Sequence, residues 1–508
     1  MLKRLTLCIA TLAIACTAVD AQDKPNVIVI IADDLGYADL AFLPQAPADV
    51  KALGTPGFDR LAATGTYFAN AYGTSPICSP SRAGLITGRY QQRWGNYWYN
   101  EGGLPQNELT IPEAFKTAGY TTAKYGKTHL NGGPKEFPTL HGFDEYLGFM
   151  NHTWDFIRLS EQDVAAYESR PSFKGLGKCQ ILGPLTKAEG AGTTETEAES
   201  ASYENGFTTR IFTDEAVDFI REHTDAPYYL HVAHNAVHMP TYVVEEIWAE
   251  KTGARYVPWD RDAKKWGFPY WEPEEETHQV FHKKWGHMGE IDIEGRRCYL
   301  ANLLALDHSI VRILDALEET GQRENTLVVF VSDNGGTINT FANNTPLSGW
   351  KYMFGEGGIR IPYLVSMPGT LPEGETNDKA IVSTMDIFPT AAEIAGISVP
   401  DNLDGKSLLP VLKGKKETNH EFIAWAKSRN EWVIRQGDWK LTNNVAWEHR
   451  DFKVKDNGDV IDAGAPYLYS GEPQLFNLKE DIGETNNLIA KHPDIAKKLK
   501  ETYHQWDS

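Results

Sequence analysis

The segment Ser75-Pro76-Ile77-Cys78-Ser79-Pro80-Ser81-Arg82 sets a cysteine between two prolines with an arginine four residues on, ahead of the small and apolar run Ala83-Gly84-Leu85-Ile86-Thr87-Gly88-Arg89. Proline fixes its own φ and restricts the residue before it, so the backbone is set before a helix begins. Cys78 then falls at a helix N-terminus, where unpaired N–H groups and the macrodipole favour negative charge, with Arg82 one turn on along the same face. Such a site suits an anion. A cysteine in a turn is otherwise most often a small buried residue.

Two further pairs offer hard oxygen donors. Asp33-Asp34 and Asp333-Asn334 each follow an apolar run and precede glycine. Carboxylate and amide oxygens suit Ca²⁺ or Mg²⁺ rather than a thiolate- or imidazole-based zinc site, and flexible carboxylates put Ca²⁺ ahead of Mg²⁺. Aspartate at such a position also serves as a helix or turn cap, and that use stands beside the metal reading. Arg82, Lys127, His129, His238 and Lys351 are the basic counterpart. Singly, each is an ordinary solvated or hydrogen-bonded group. Gathered against a divalent ion, they would clamp a group carrying three spread oxygens, as phosphoryl or sulfuryl transfer requires.

Periodicity shows the elements that must bring these residues together. Residues 26–31 and 326–331 are continuous apolar, β-branched runs, as in strands buried on both faces of a parallel sheet, and each ends at its oxygen pair. In open α/β sheets ligands gather at the carboxyl ends of strands. A third strand, 120–125, delivers Gly126-Lys127-Thr128-His129-Leu130, with Lys127 and His129 on one side. A fourth, 228–233, ends at His234-Asn235-Ala236-Val237-His238-Met239-Pro240. Helices are expected over 55–64, 109–118, 207–223, 296–320 and 385–395, with glycine stops after all but the third. Residues 151–206 carry no core pattern, and the Gly, Thr and Glu content of 189–200 predicts a surface excursion. Residues 241–290, with Trp248, Trp259, Trp266, Trp271 and Trp285, read as an insertion over the sheet edge that either packs or offers an aromatic platform to a sugar.

After Leu412 the run Lys413-Gly414-Lys415-Lys416 reads as a linker, followed by antiparallel strands around a Gly437-Asp438 turn, a strand over 472–478 and a closing helix over 493–506. The predicted fold is α/β: a large, mostly parallel sheet flanked by helices over 22–412, then a smaller C-terminal α+β domain over 413–508 with an antiparallel sheet.

The 508 residues are 41% hydrophobic and 23% charged, a globular balance able to bury a sizeable core. A net charge of −20 with no basic block argues against nucleic acid. Met1-Leu2-Lys3-Arg4, an apolar run to Ala18 and the small-x-small site Val19-Asp20-Ala21 predict a bacterial-type signal over 1–21, hence a secreted or periplasmic protein. Lipoprotein anchoring through Cys16 ranks second, poorly served by Ile14. No other stretch is long enough to cross a membrane as a transmembrane helix. Cys78, Cys179 and Cys298 remain, too few for a disulfide framework.

Cys78-x-Pro80-Ser81-Arg82 with its following run resembles the signature of the type I, formylglycine-dependent sulfatases of the alkaline phosphatase-like superfamily. The likeness spans nearly the whole mature chain, through Asp33-Asp34, residues 126–130, the His238-x-Pro240 element, Asp333-Asn334-Gly335 and Lys351 ahead of Glu356-Gly357-Gly358-Ile359-Arg360. Thr128 stands where the family often has Trp, and Val237 where Pro commonly precedes the histidine; both departures bear on packing and substrate shape. The resemblance implies hydrolysis of sulfate esters, most plausibly of a sulfated polysaccharide or oligosaccharide, and a maturation enzyme that oxidises Cys78 to formylglycine (3-oxoalanine). It implies that Asp33, Asp34, Asp333 and Asn334 bind Ca²⁺, which also contacts the hydrated formylglycine, and that Arg82 and Lys127 hold that diol. One hydroxyl attacks sulfur in line while His238 and Lys351 contact the sulfate and assist the leaving alcohol; His129 then takes a proton from the other hydroxyl, and sulfate departs. A phosphate or phosphonate ester hydrolase of the same superfamily would have Ser or Thr at 78 and added zinc ligands. A catalytically inactive carbohydrate-binding relative would have lost Cys78, Arg82 or an aspartate.

Overall fold

The computed structural model describes residues 24–98, 101–130, 133–150, 157–158, 185–203, 206–238, 241, 243–256, 293–337, 340–443, 452–454, 460–462 and 472–507. The expected signal segment 1–21 with Cys16, and Cys179, Pro240, Trp259, Trp266, Trp271 and Trp285, lie outside the described residues.

Ten strands share one sheet: β1 (Asn26–Ala32), β2 (Thr66–Phe68), β3 (Thr121–Lys127), β4 (Glu145–Phe149), β5 (Leu185–Glu189), β6 (Glu199–Ala201), β7 (Tyr228–Ala233), β8 (Thr326–Ser332), β9 (Tyr363–Ser366) and β10 (Glu375–Asn377). Their order is β10-β2-β9-β8-β1-β7-β3-β4-β5-β6. The middle five, β8 to β4, run parallel. Antiparallel pairings extend the sheet at both edges, through β9 and β2 on one side and β5 and β6 on the other.

Every residue of β1 and β8 is buried, as the continuous apolar runs require. Helices α1 (Pro56–Ala63), α2 (Cys78–Thr87), α3 (Ile111–Thr117), α4 (Thr208–Glu222), α5 (Ile293–Glu319) and α6 (Ile387–Ile394) cover the two faces. One face of β1, Ile28 and Ile30, packs with Phe58 of α1, Phe212 of α4 and Leu306 of α5. The other, Val27 and Val29, packs with Leu85 of α2, Phe115 of α3 and Phe388 of α6. Because Ala32 pairs with Ser332, the Asp33 and Asp333 turns leave the sheet side by side.

Three expectations change. Part of the predicted surface excursion is the β5–β6 edge hairpin, with Leu185 and Ala188 buried; the exposed Lys187 and Glu189 between and beyond them hide the alternation. β3 runs on to Lys127, which therefore leaves the sheet from a strand end rather than from the loop beyond. Trp248, in a short helix over Glu246–Thr252, joins the main core, so packing accounts for it.

A second sheet comprises β11 (Phe422–Ala426), β12 (Trp432–Gln436), β13 (Trp439–Asn443) and β14 (Gln474–Asn477), all antiparallel. Gly437, at φ +57°, supplies the left-handed residue of the expected turn. Helix α7 (Pro493–Asp507) covers one face, with Tyr503 stacked 3.9 Å from Trp432. The other face, through Ile423, Trp425 and Val433, meets Tyr72, Phe354 and Ile359. The second sheet thus braces the segment just beyond Lys351.

Candidate active site

Where β1 ends, the chain turns at Asp33-Asp34, with Asp34 at φ +61°, a left-handed position that aspartate tolerates better than most residues. Asp333 Oδ1 accepts from Asn334 N at 2.9 Å and from Asp34 N at 3.3 Å, joining the two turns. Asn334 Nδ2 donates to Asp34 Oδ1 at 2.7 Å and to Gly335 O at 2.9 Å. Its amide oxygen is buried with no hydrogen-bond partner among the described residues. Such an oxygen is available to a cation.

Extended Ile77 leads into α2, so Cys78 opens the helix as its sequence predicts. The thiol donates to Asp33 Oδ1 at 3.5 Å. One turn on, Arg82 Nε donates to Asp333 Oδ2 at 2.8 Å, and Nη2 lies 3.8 Å from Asp33 Oδ2. Lys127 Nζ is ion-paired with Asp33 Oδ2. Lys351 Nζ stands 2.8 Å from Asp34 Oδ1 and 2.9 Å from Oδ2, and His238 Nε2 is 3.6 Å from that second oxygen. Asp33, Asp34, Cys78 and His238 each place one ligand atom within 4.8 Å of the others. Asp333 is not one of those four; its Oδ2 accepts from Arg82 Nε, and its Oδ1 from two backbone amides.

Three buried carboxylates, Asp33, Asp34 and Asp333, face three buried cations, Arg82, Lys127 and Lys351. Burial alone would raise the Asp33 carboxyl, but Lys127, His238, Arg82 and Lys351 hold it well below the usual range. Burial and the Asp33 charge raise Asp34 in spite of Lys351, and raise Asp333 to about 6. The donor set fits a hard divalent cation: the carboxylates and the orphaned Asn334 oxygen could hold it, leaving the site net positive and receptive to an anionic ester. Burial pushes the Cys78 thiol up despite Lys127 and Lys351. Unmodified, it is a poor thiolate nucleophile. His129, at φ +45°, is held well below its ordinary value by burial, Lys127 and Arg82, and so is neutral.

All ten residues singled out by sequence therefore meet at the carboxyl end of the sheet. His234, on the same loop as His238, does not: it turns into the core, 2.9 Å from Ser309 Oγ, and burial lowers it to about 3. A clamp that sequence reasoning missed holds the Lys351 loop. Glu484 Oε2 accepts from Ser348 Oγ and from Glu356 N, at the two ends of the loop, and Glu484 Oε1 is 2.8 Å from Lys440 Nζ. Gly357 N donates to Ser348 O at 2.7 Å, and Gly335 N to Gly358 O at 2.9 Å. A Cβ on Gly335 would lie 1.9 Å from Gly357 O, so only glycine permits this approach.

Residues 25–397 match the sulfatase family model, and 349–507 match that of the C-terminal region of N-sulphoglucosamine sulphohydrolase. The N-acetylgalactosamine-6-sulfatase of Mus musculus is 28% identical, over 93% of this chain and 83% of that protein. The N-acetylgalactosamine-6-O-sulfatase of Bacteroides thetaiotaomicron is 27% identical, over 94% and 92%. Among solved structures, Ps i-CgsB superposes with a TM-score of 0.70 at 29% identity, covering 95% of this chain and 92% of that one. A second structure of Ps i-CgsB, at 28% identity and the same TM-score of 0.70, holds k-i-k-neocarrahexaose. With that match over most of its length, the chain belongs to the sulfatase family, the type I sulfatases of the alkaline phosphatase-like superfamily, and is a sulfuric ester hydrolase.

Proposed function

We propose that this sulfatase cleaves sulfate esters of a polysaccharide or oligosaccharide outside the cytoplasm, using formylglycine at position 78 and Ca²⁺. The convergence of Arg82, Lys127, His238 and Lys351 on the Asp33-Asp34 turn beside Cys78 carries the reading. Relatives named for N-acetylgalactosamine 6-sulfate, and a neighbour holding a neocarrahexaose, support a carbohydrate. The basic start and short apolar run of residues 1–21 support secretion or a periplasmic location.

Oxidation of Cys78 by a maturation enzyme would supply an oxygen nucleophile able to expel sulfate afterwards, and Ca²⁺ held by Asp33, Asp34, Asp333 and Asn334 would supply charge against the sulfate oxygens. Arg82 and Lys127, fixed by Asp333 and Asp33, stabilise negative charge at position 78. Lys351 draws charge from the sulfate, and His238 hands a proton to the departing sugar oxygen. Neutral His129 accepts the proton that must leave before sulfate is released. The test is sulfate release, by ion chromatography, from N-acetylgalactosamine 6-sulfate, a carrageenan oligosaccharide and an aryl sulfate. Release from a carbohydrate upholds the reading; turnover of the aryl ester alone overturns its carbohydrate part.

A further inference from the structure

Among the described residues, five non-glycine positions adopt a positive φ: Asp34, His129, Phe341, Tyr352 and Glu484. Asp34 and His129 belong to the site, Phe341 lies against Gly295, and Glu484 clamps the Lys351 loop. Tyr352, at φ +74°, is the one of the five that is exposed, at 38%. A bulky side chain is strained in this region, and a ring more than a third exposed draws only part of the packing that could offset the strain.

The loop itself needs the turn. Tyr352 N donates to Pro76 O at 2.7 Å, two residues before Cys78, and Met353 N donates to Trp350 O at 2.9 Å. Three residues earlier the same loop meets the same need with Gly349, at φ +76°. Glycine would serve at 352 without strain, yet the chain holds a tyrosine there. Its ring centroid is 5.4 Å from Lys351 Nζ, the atom that also sits 2.8 Å from Asp34 Oδ1. An exposed aromatic ring therefore borders the anion clamp.

We infer that the Tyr352 ring is the platform on which the sulfate-bearing sugar ring stacks while its ester reaches Lys351; this rests on the carbohydrate reading above. The C–H face of a pyranose is apolar and flat enough to cover an aromatic ring, and few polar groups are then needed to fix the ester. Strain of this kind persists where a ligand is clamped.

The test compares wild type, Tyr352→Gly and Tyr352→Phe, all matured, by KM and kcat on the carbohydrate sulfates, by inhibition with inorganic sulfate and by melting temperature. Tyr352→Gly is expected to melt at or above the wild-type temperature and to keep its sulfate inhibition constant within about twofold. Its kcat/KM on carbohydrate is expected to fall about 10- to 100-fold, mainly through KM. Tyr352→Phe is expected to keep the wild-type KM. An unchanged KM in the glycine variant overturns the platform. A sulfate inhibition constant rising in step with KM also overturns it, by assigning the ring to positioning Lys351. A wild-type enzyme that hydrolyses the aryl sulfate and no carbohydrate removes the carbohydrate reading, and the platform with it, before any variant is compared.

Discussion

Lys440 is fully buried on β13, with Nζ 2.9 Å from Glu356 Oε1 and 2.8 Å from Glu484 Oε1. Methionine keeps much of its stem and removes its charge. Burial alone would raise the Glu356 carboxyl; Lys440, Arg360 and Arg435 override it and hold the group at about 2, against 4.5 for the free side chain. At 1.36 kcal/mol per unit, that depression is about 3 kcal/mol of stability, of the same order as the cost of orphaning a buried charge. The folded value lies below the unfolded one, so the contribution is complete above 4.5 and is lost as pH falls from there toward about 2. Lys440 is the largest of those contributions and the arginines remain, so Lys440→Met is expected to lose a part of it, about 1–2 kcal/mol, in urea unfolding at neutral pH, with the gap to wild type narrowing in acid. Its kcat should also fall, because Glu484 ties both ends of the Lys351 loop. A neutral-pH loss below about 0.5 kcal/mol, or a gap that does not narrow in acid, would refute the clamp.

Asp307 accepts from Gly57 N at 3.1 Å and Phe58 N at 2.9 Å at the start of α1, and burial pushes its carboxyl up to about 7 from 3.8. Between those values the folded chain holds more protons than the unfolded one, so stability falls as pH rises through that window; Asp307→Asn should remove this slope, read from urea midpoints at about pH 5 and about pH 8. Lys351→Met strips Asp34 of its ion pair and the sulfate of a facing charge, and should lower kcat by about 10²- to 10³-fold in sulfate-release assays. Chelation with EGTA should abolish turnover and lower the melting temperature, with Ca²⁺ restoring both, since an ion bound only to the folded state stabilises it by mass action.

The centre of the sheet was legible because strands covered on both faces are continuously apolar, so the 26–31 and 326–331 runs stood out and their oxygen pairs with them. The edges were not. β5 exposes Lys187 and Glu189 beside buried Leu185 and Ala188, and so short a half-covered strand reads as a loop. Within the site, residue type sufficed for Cys78, Arg82 and Lys127, whose partners follow from strand order. His234 and His238 show its limit: four residues apart, they differ only in direction, one into the core and one toward Asp34. Glu484 gave no local signal, since its partner Glu356 lies 128 positions away. Nothing in the sequence sets Tyr352 apart from other loop aromatics, because its φ of +74° belongs to the backbone.

The most direct test of the account is peptide mass spectrometry across Cys78, with an aldehyde-trapping reagent, on protein made in a host that supplies the maturation enzyme. The account predicts that the thiol is replaced by an aldehyde or its hydrate and that specific activity rises in proportion to the converted fraction. Full activity in protein whose Cys78 remains a thiol would contradict it.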